Sequence, residues 1–443
     1  IHMEVGQPST GAPRGALEAV SGRLTEDPMG YTVALGLPAL RERIARLYGD
    51  WYGVDLDPGR VIVTSGSSAA FLLAFTALFD TGDRVGIGAP GYPSYRQILK
   101  ALAPVPVDLP TAAQNRYQPV PADFAKMDLA GLMVASPANP TGTMLDHGAM
   151  GALIEAAQGQ GASFISDEIY HGLEYEAKAV TALELSDDVY VINSFSKYFS
   201  MTGWRVGWMV VPEDHVRVVE RIAQNMFICP PHVSQVAALA AMDCDDELQG
   251  NLEVYAANRA LMLEGLPKAG FTRIAPPDGA FYVYADVSDL TTDSRAFAAE
   301  ILEKAGVAVT PGLDFDPLFR DAGGGFGVFQ HLRHRRHRTR LRDIDPQRTA
   351  PGVSNRRIHR PDRPHQQFQL IALHRGLHGD DDLGADLQMI ARGFEHVGED
   401  RHLVGAARVR ELREGEAVAL GRLALLPARH HAAHLGDDLG QAG

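Results

Sequence analysis

Cysteine is nearly absent, with Cys229 and Cys244 the only two in 443 residues. That count rules out a disulfide framework and fits a reducing compartment, and the spacing is not that of metal ligands. Long hydrophobic runs are missing too. The longest, FLLAFTALF from Phe71 to Phe79, falls far short of the roughly 20 residues that span a bilayer, and no charged-then-apolar leader opens the chain. A cytoplasmic protein with no membrane partner is expected. Net positive charge is also lacking. The formal charge of -14 argues against a chain that binds nucleic acid by neutralising phosphates. What is present, 45% hydrophobic and 22% charged residues, is ordinary for a globular chain with two or three domains and a large core. The opening residues IHMEVGQPSTGAP lack an initiating methionine and read as mid-domain sequence, so a preceding segment is expected.

From about residue 31 to 231, helical and strand-like segments alternate, the pattern of a mostly parallel sheet covered by helices. LPALRERIARLYGDWYG has helical spacing and ends at Gly53. VIVT, RVGIGAP, GLMVASP, SFISDE and VYVINS read as strands, and SGSSAAFLLAFTALF as a turn opening a helix. Further on, ANRALMLEGLPKAG predicts a helix and AFYVYADV a strand. The composition breaks near Pro317. Residues 318–443 hold no Lys, Tyr, Trp or Cys, yet carry 12 of the 17 His and 20 Arg. Three readings are open: a basic nucleic-acid arm around HLRHRRHRTRLR, a disordered appendage, or translation in the wrong frame. In the last, codons such as CGC CAC CGC CGA CAT CGA, moved by one nucleotide, give Ala-Thr-Ala-Asp-Ile, which suits the start of an ordinary helix.

The chemistry concentrates in SFSKYFSMTGWRVGW. Lys197 falls just past the strand VYVINS, where open α/β sheets place ligands. A lysine held there can lose its proton by desolvation or nearby positive charge, and a neutral amine condenses with an aldehyde. Arg205 offers a fixed fork of donors suited to phosphate. In SGSSAAF, Gly66 and Ser67 stand at a strand-to-helix turn, either a plain cap or an anion site of free N–H groups. Asn139 in SPANPTG is held extended by Pro140. Asp167 in SFISDEIY ends a strand and, if buried, needs a cationic partner; Tyr170 follows three residues on. Tyr92 in GAPGYPSY offers an aromatic face at another strand end. His171 and His232 have no partner at metal spacing, so no metal site is expected.

In this order the SGS turn, GYPSY, NPTG, SDEIY, SFSK and GWRVGW resemble the class I/II aminotransferases, members of the fold-type I pyridoxal-phosphate enzymes, over residues 3–315. The resemblance implies an α/β fold with a seven-stranded, mostly parallel sheet between helices and a smaller α/β domain. Its boundaries would be 1–28 (part of the small domain), 29–250 (large domain), 251–317 (small domain, partial) and 318–443 (non-family tail). It implies pyridoxal 5'-phosphate on Lys197 as an internal aldimine, with the freed amine acting as base and then acid. Asp167 would keep the ring nitrogen protonated. Asn139 and Tyr170 would bond the phenolic oxygen, and Tyr92 would stack on the ring. Gly66, Ser67, Ser194 and Arg205 would grip the phosphate, with Tyr31 lent by the neighbouring subunit of a homodimer. Gly6 and Asn139 would meet the substrate, an amino acid or 2-oxo acid. One departure stands out: after VAVTPGLDFDP the family's RxS-type arginine, which clamps the substrate carboxylate, is not in place. Arg320 and Arg333 are nearby in other contexts. A C–S lyase or decarboxylase of the same fold would reuse the same lysine and aspartate, and loss of the clamp leaves open a cofactor-binding protein without activity.

Overall fold

The computed structural model describes residues 1–316 and the backbone of 326–329. The readings of the tail, and Arg320 and Arg333, lie outside the described residues. Seven strands, β1 (Val61–Thr64), β2 (Arg84–Ala89), β3 (Val105–Pro110), β4 (Gly131–Ala135), β5 (Ser163–Asp167), β6 (Tyr190–Ser194) and β7 (Gly207–Val210), form one sheet in the order β1-β7-β6-β5-β4-β2-β3. Only β7 runs against its neighbours; the other pairings are parallel. The expected mostly parallel sheet is therefore present. β1, β6 and β7 are buried along their whole length, as strands covered on both faces must be.

The helices are α1 (Arg14–Arg23), α2 (Pro38–Tyr52), α3 (Ser67–Leu78), α4 (Pro93–Leu102), α5 (His147–Gln158), α6 (Val216–Phe227), α7 (His232–Ala241), α8 (Asp245–Lys268) and α9 (Ser294–Ala305), the last of which packs on a second sheet. Strand side chains alternate between two cores, as a period of two requires. Val61, Val63, Val134, Phe164 and Val191 pack with Ile44 of α2, Leu153 of α5 and Ala237 of α7. Ile62, Met133, Ile165 and Ile192 pack on the other side with Phe71 of α3, Leu99 of α4 and Val219 of α6. Each fully buried branched side chain contributes roughly 1.5–3 kcal/mol of transfer free energy. α2 stops where its sequence says it should: Gly53 takes the left-handed conformation (φ 71°) and its N–H closes onto the carbonyls of Tyr48 and Gly49.

A second, antiparallel sheet joins β8 (Arg273–Ile274), β9 (Tyr282–Asp286), β10 (Thr310–Pro311) and β11 (Phe326–Phe329) in the order β10-β11-β9-β8. Met3, Met262, Phe271, Val283, Phe297 and Ile301 make a third core there. Met3 reaches it because its N–H bonds the carbonyl of Ala308 at 3.0 Å. The helix expected through ANRALMLEGLPKAG begins earlier, at Asp245, with Asp245, Asp246 and Glu247 in the first turn, where carboxylates favour the helix dipole. α8 buries Leu248 and Tyr255 in the first core and Met262 and Leu266 in the third. It thereby crosses the proposed domain boundary at 250.

Candidate active site

β4 and β5 end in step, Ala135 pairing with Asp167, while β6 pairs Ile192 with Asp167 and runs on to Ser194. The turns that follow carry Asn139, Tyr170 and Lys197 to the edge where Asp167 ends its strand. Together with Gly6, Ser67 and Tyr92 they line a cavity of about 370 Å³. A larger cavity, about 590 Å³, opens past Tyr92 and Tyr95 toward Arg96 and Arg295, but it contains neither the lysine nor the aspartate.

Lys197 is held in the turn after β6, its Nζ donating to the carbonyl of Gly6, 191 residues away. Nζ also lies 5.4 Å from the ring centre of Tyr170 and 5.5 Å from that of Phe281. Burial pulls its pKa down to about 8; Asp167 opposes this and Arg205 adds to it. A neutral amine, the nucleophilic form, is thus accessible near physiological pH.

Asp167 is 3% exposed. Its Oδ2 accepts from the Tyr95 hydroxyl and its Oδ1 from the N–H of Ile169 at 3.1 Å. Burial raises its pKa to about 6, against the pull of Tyr95, Ile169 and Lys197. The carboxylate is poised for one more partner facing the cavity, and a cation would serve best. Asn139 points the same way: its Oδ1 is buried and has no hydrogen-bond partner among the described residues.

At the start of α3, Gly66 is the N-cap with no side-chain cap, at φ 79°. The Arg205 guanidinium lies directly over it, so that a Cβ on Gly66 would sit 2.6 Å from Nη2. Free N–H groups at a helix N-terminus under an arginine make an anion cradle beside Ser67. Ser194 is 1% exposed, and its Oγ bonds Ser196 Oγ at 2.8 Å and the carbonyl of Val206 at 3.2 Å. Tyr92 is half-exposed and meets Tyr95 edge-on at 5.3 Å. Tyr31 stands apart, 83% exposed on the surface of the chain. Sequence reasoning did not assign Tyr95 or Tyr282, both of which line the cavity. Tyr95 lies three residues from Tyr92 in the same motif, in the first turn of the helix that Tyr92 caps.

Behind the cavity, Glu168 turns to the opposite side of the sheet. Its Oε1 accepts from the N–H of Ala182 at 2.8 Å, and its Oε2 lies 3.6 Å from Nδ1 of His171. His171 donates from Nε2 to the carbonyl of Ser136 (2.9 Å), which leaves Nδ1 to accept from the Tyr52 hydroxyl (2.6 Å). This network ties the turn before Asn139 to the turn after Asp167. Burial raises the Glu168 pKa from 4.5 to about 8 and lowers that of His171 to about 4, so at neutral pH the pair is largely uncharged. A carboxyl that holds its proton more tightly when folded contributes stability that is full below about pH 4.5 and lost as pH rises to about 8. Glu168→Gln, which copies the neutral acid, is expected to flatten the fall of Tm between about pH 6 and 8. Glu174, raised by burial to about 7, supplies the slope that remains. Thermal unfolding of both proteins across that range is the check, and identical slopes would contradict the assignment.

The family model for aminotransferase class I and II matches residues 1–318. A valine–pyruvate aminotransferase of Mycobacterium tuberculosis is 47% identical over 332 residues, which is 74% of this chain and 85% of the relative. Among solved structures, an aminotransferase from Mycobacterium tuberculosis matches at 46% identity with TM-score 0.72, covering 74% of this chain and 86% of that one. A candidate aminotransferase from Silicibacter pomeroyi matches at 81% identity with TM-score 0.71 and the same coverage. Family match, sheet topology and the buried lysine at the strand ends agree: the chain belongs to the class I and II aminotransferases and is a transaminase.

Proposed function

We propose that this transaminase works with pyridoxal 5'-phosphate held on Lys197, moving an amino group between an amino acid and a 2-oxo acid. The observation that carries the reading is the convergence of Lys197, Asp167 and Asn139 on one cavity beside the Gly66–Arg205 cradle. The residues fit the group: the orphaned Asn139 amide oxygen, the buried Asp167 and the anion cradle leave polar capacity unfilled. When bound, pyridoxal phosphate supplies an electrophilic aldehyde and a sink for negative charge on the substrate α-carbon. Lys197 Nζ would hold the aldehyde carbon and serve as the proton carrier at the substrate α-carbon. Asp167 would keep the ring nitrogen protonated. Asn139 and Tyr170 would bond the phenolic oxygen, and Tyr92 would pack on the ring. Gly66, Ser67, Ser194 and Arg205 would hold the phosphate, and Gly6 and Asn139 would meet the substrate carboxylate.

Phe71, Ile169 and Phe315 also wall the cavity, which supports an uncharged aliphatic amino acid such as valine, with pyruvate as acceptor. The exposed Tyr31, with Leu24 and Val33 also exposed nearby, supports a homodimer in which each Tyr31 reaches the neighbour's phosphate. Free Cys229 and Cys244 support a cytoplasmic location; among the described residues no helix is long and apolar enough to cross a membrane. The test is the full chain with pyridoxal phosphate, L-valine and pyruvate, assayed for alanine. Alanine formation supports the reading; ammonia or carbon dioxide released without an oxo acid would replace it with a lyase or decarboxylase.

A further inference from the structure

Tyr282 opens β9, is 1% exposed, and shares a hydrogen bond between its hydroxyl and that of Tyr170. The two rings meet edge to face, with centroids 5.3 Å apart at 77°. The segment that delivers Tyr282 is fastened on both sides. Ala280 N–H bonds the carbonyl of Leu173 at 2.7 Å, and Gly279 N–H bonds that of Gly142 at 2.9 Å. Gly142 itself has φ 72°, and a Cβ there would lie 3.0 Å from the backbone carbonyl oxygen of Gly279 and 3.3 Å from that of Tyr282. The Tyr282 hydroxyl is therefore placed by the turns after Asn139 and Tyr170, and has little freedom to swing away.

Each phenol has one proton. If Tyr170 gives its proton to Tyr282, it has none for the cavity; if Tyr282 gives, the Tyr170 proton is directed inward. We propose that Tyr282 is a positioning residue whose hydroxyl donates to Tyr170 and so commits the Tyr170 proton to the phenolic oxygen of the bound cofactor. The inference rests on the pyridoxal-phosphate reading above. A phenol that accepts one hydrogen bond becomes a better donor in the next, so the Tyr282–Tyr170 chain favours the anionic form of that oxygen. The lysine-bound cofactor should then lose its proton at lower pH than with Tyr170 acting alone. Among the described residues, the ionisable groups facing the pair are Asp167 at the end of β5, Lys197 after β6, Tyr95 on α4, and Tyr92 at its N-cap, with Arg205 acting on Lys197. All of them stay in place in the test.

The test titrates the visible absorbance of the full chain loaded with pyridoxal phosphate, as the parent, Tyr282→Phe, Tyr170→Phe and the double variant. Phenylalanine keeps each ring, and thermal unfolding reports whether each fold is intact. Tyr282→Phe is expected to raise the midpoint of the titration by about half a pH unit, Tyr170→Phe to raise it further, and the double variant to match Tyr170→Phe. A Tyr282→Phe midpoint equal to the parent's, or additive shifts in the double variant, would overturn the relay. No lysine-bound absorbance in the parent would overturn the relay together with the cofactor reading, and that outcome is recognisable without any variant.

Discussion

Lys197→Met is expected to fold, to lose turnover by on the order of 10⁴-fold, and to be at least as stable as the parent in the cofactor-free state at pH 7. The expected loss is large because the proposed role gives one atom two tasks, holding the aldehyde and carrying the proton, and methionine keeps the length and burial of the side chain but can do neither. The stability follows from the sign of the pKa shift. Burial lowers the folded-state value to about 8 from 10.5, so the folded chain binds this proton less well than the unfolded chain. That is a cost to stability at pH 7, which fades as pH rises from about 8 to 10.5. Removing the amine removes the cost, although Asp167 then loses the attraction of Lys197. Steady-state kinetics and thermal unfolding are the checks; turnover within about tenfold of the parent would contradict the role.

Asp167→Asn is expected to slow turnover by about 10³-fold, the scale on which a single well-placed electrostatic group acts in a closed site. Asparagine is nearly isosteric: its one oxygen can accept from the Ile169 N–H while its NH2 donates to the Tyr95 hydroxyl, so the geometry is expected to survive while the charge proposed to keep the ring nitrogen protonated is gone. Here too stability and activity move in opposite directions. The folded-state pKa of Asp167 lies at about 6 against 3.8, so its protonated form contributes stability that is full below about pH 3.8 and lost by about pH 6. The neutral amide should therefore raise the Tm of the cofactor-free protein at pH 7 to 8 while activity falls. Unchanged turnover would show that the carboxylate has no part in the chemistry.

The sequence makes the buried strands legible because strands covered on both faces are short, continuous apolar runs, as VIVT, GLMVA and VYVINS are. β3, VPVDLP, was not recognisable. It carries Pro106 and Pro110 and lies at the sheet edge, where proline is tolerated and burial is partial. β7, GWMV, begins two residues after Arg205, and its antiparallel place between β1 and β6 is a fact of topology that no local pattern encodes. The two-residue β8 and β10 are too short to show any periodicity. In the site, Lys197, Asp167, Asn139 and Tyr170 could be singled out because each stands in a turn after a recognisable strand or next to one. Tyr95 and Tyr282 could not. Their roles depend on partners 72 and 112 residues away, Asp167 and Tyr170, and an aromatic residue in a helix or strand reads locally as core. Ser194 is legible only through the SFSK motif; its bond to Ser196 is local, while its bond to the Val206 carbonyl emerges only when β6 and β7 pair.

The most direct measurement is to incubate the full chain with pyridoxal phosphate, reduce with borohydride, digest and map the products by mass spectrometry. The expected result is a single pyridoxyl-phosphate adduct on the peptide containing Lys197. An adduct spread over other lysines, or one retained in Lys197→Met, would contradict the assignment of this lysine as the residue that holds the cofactor.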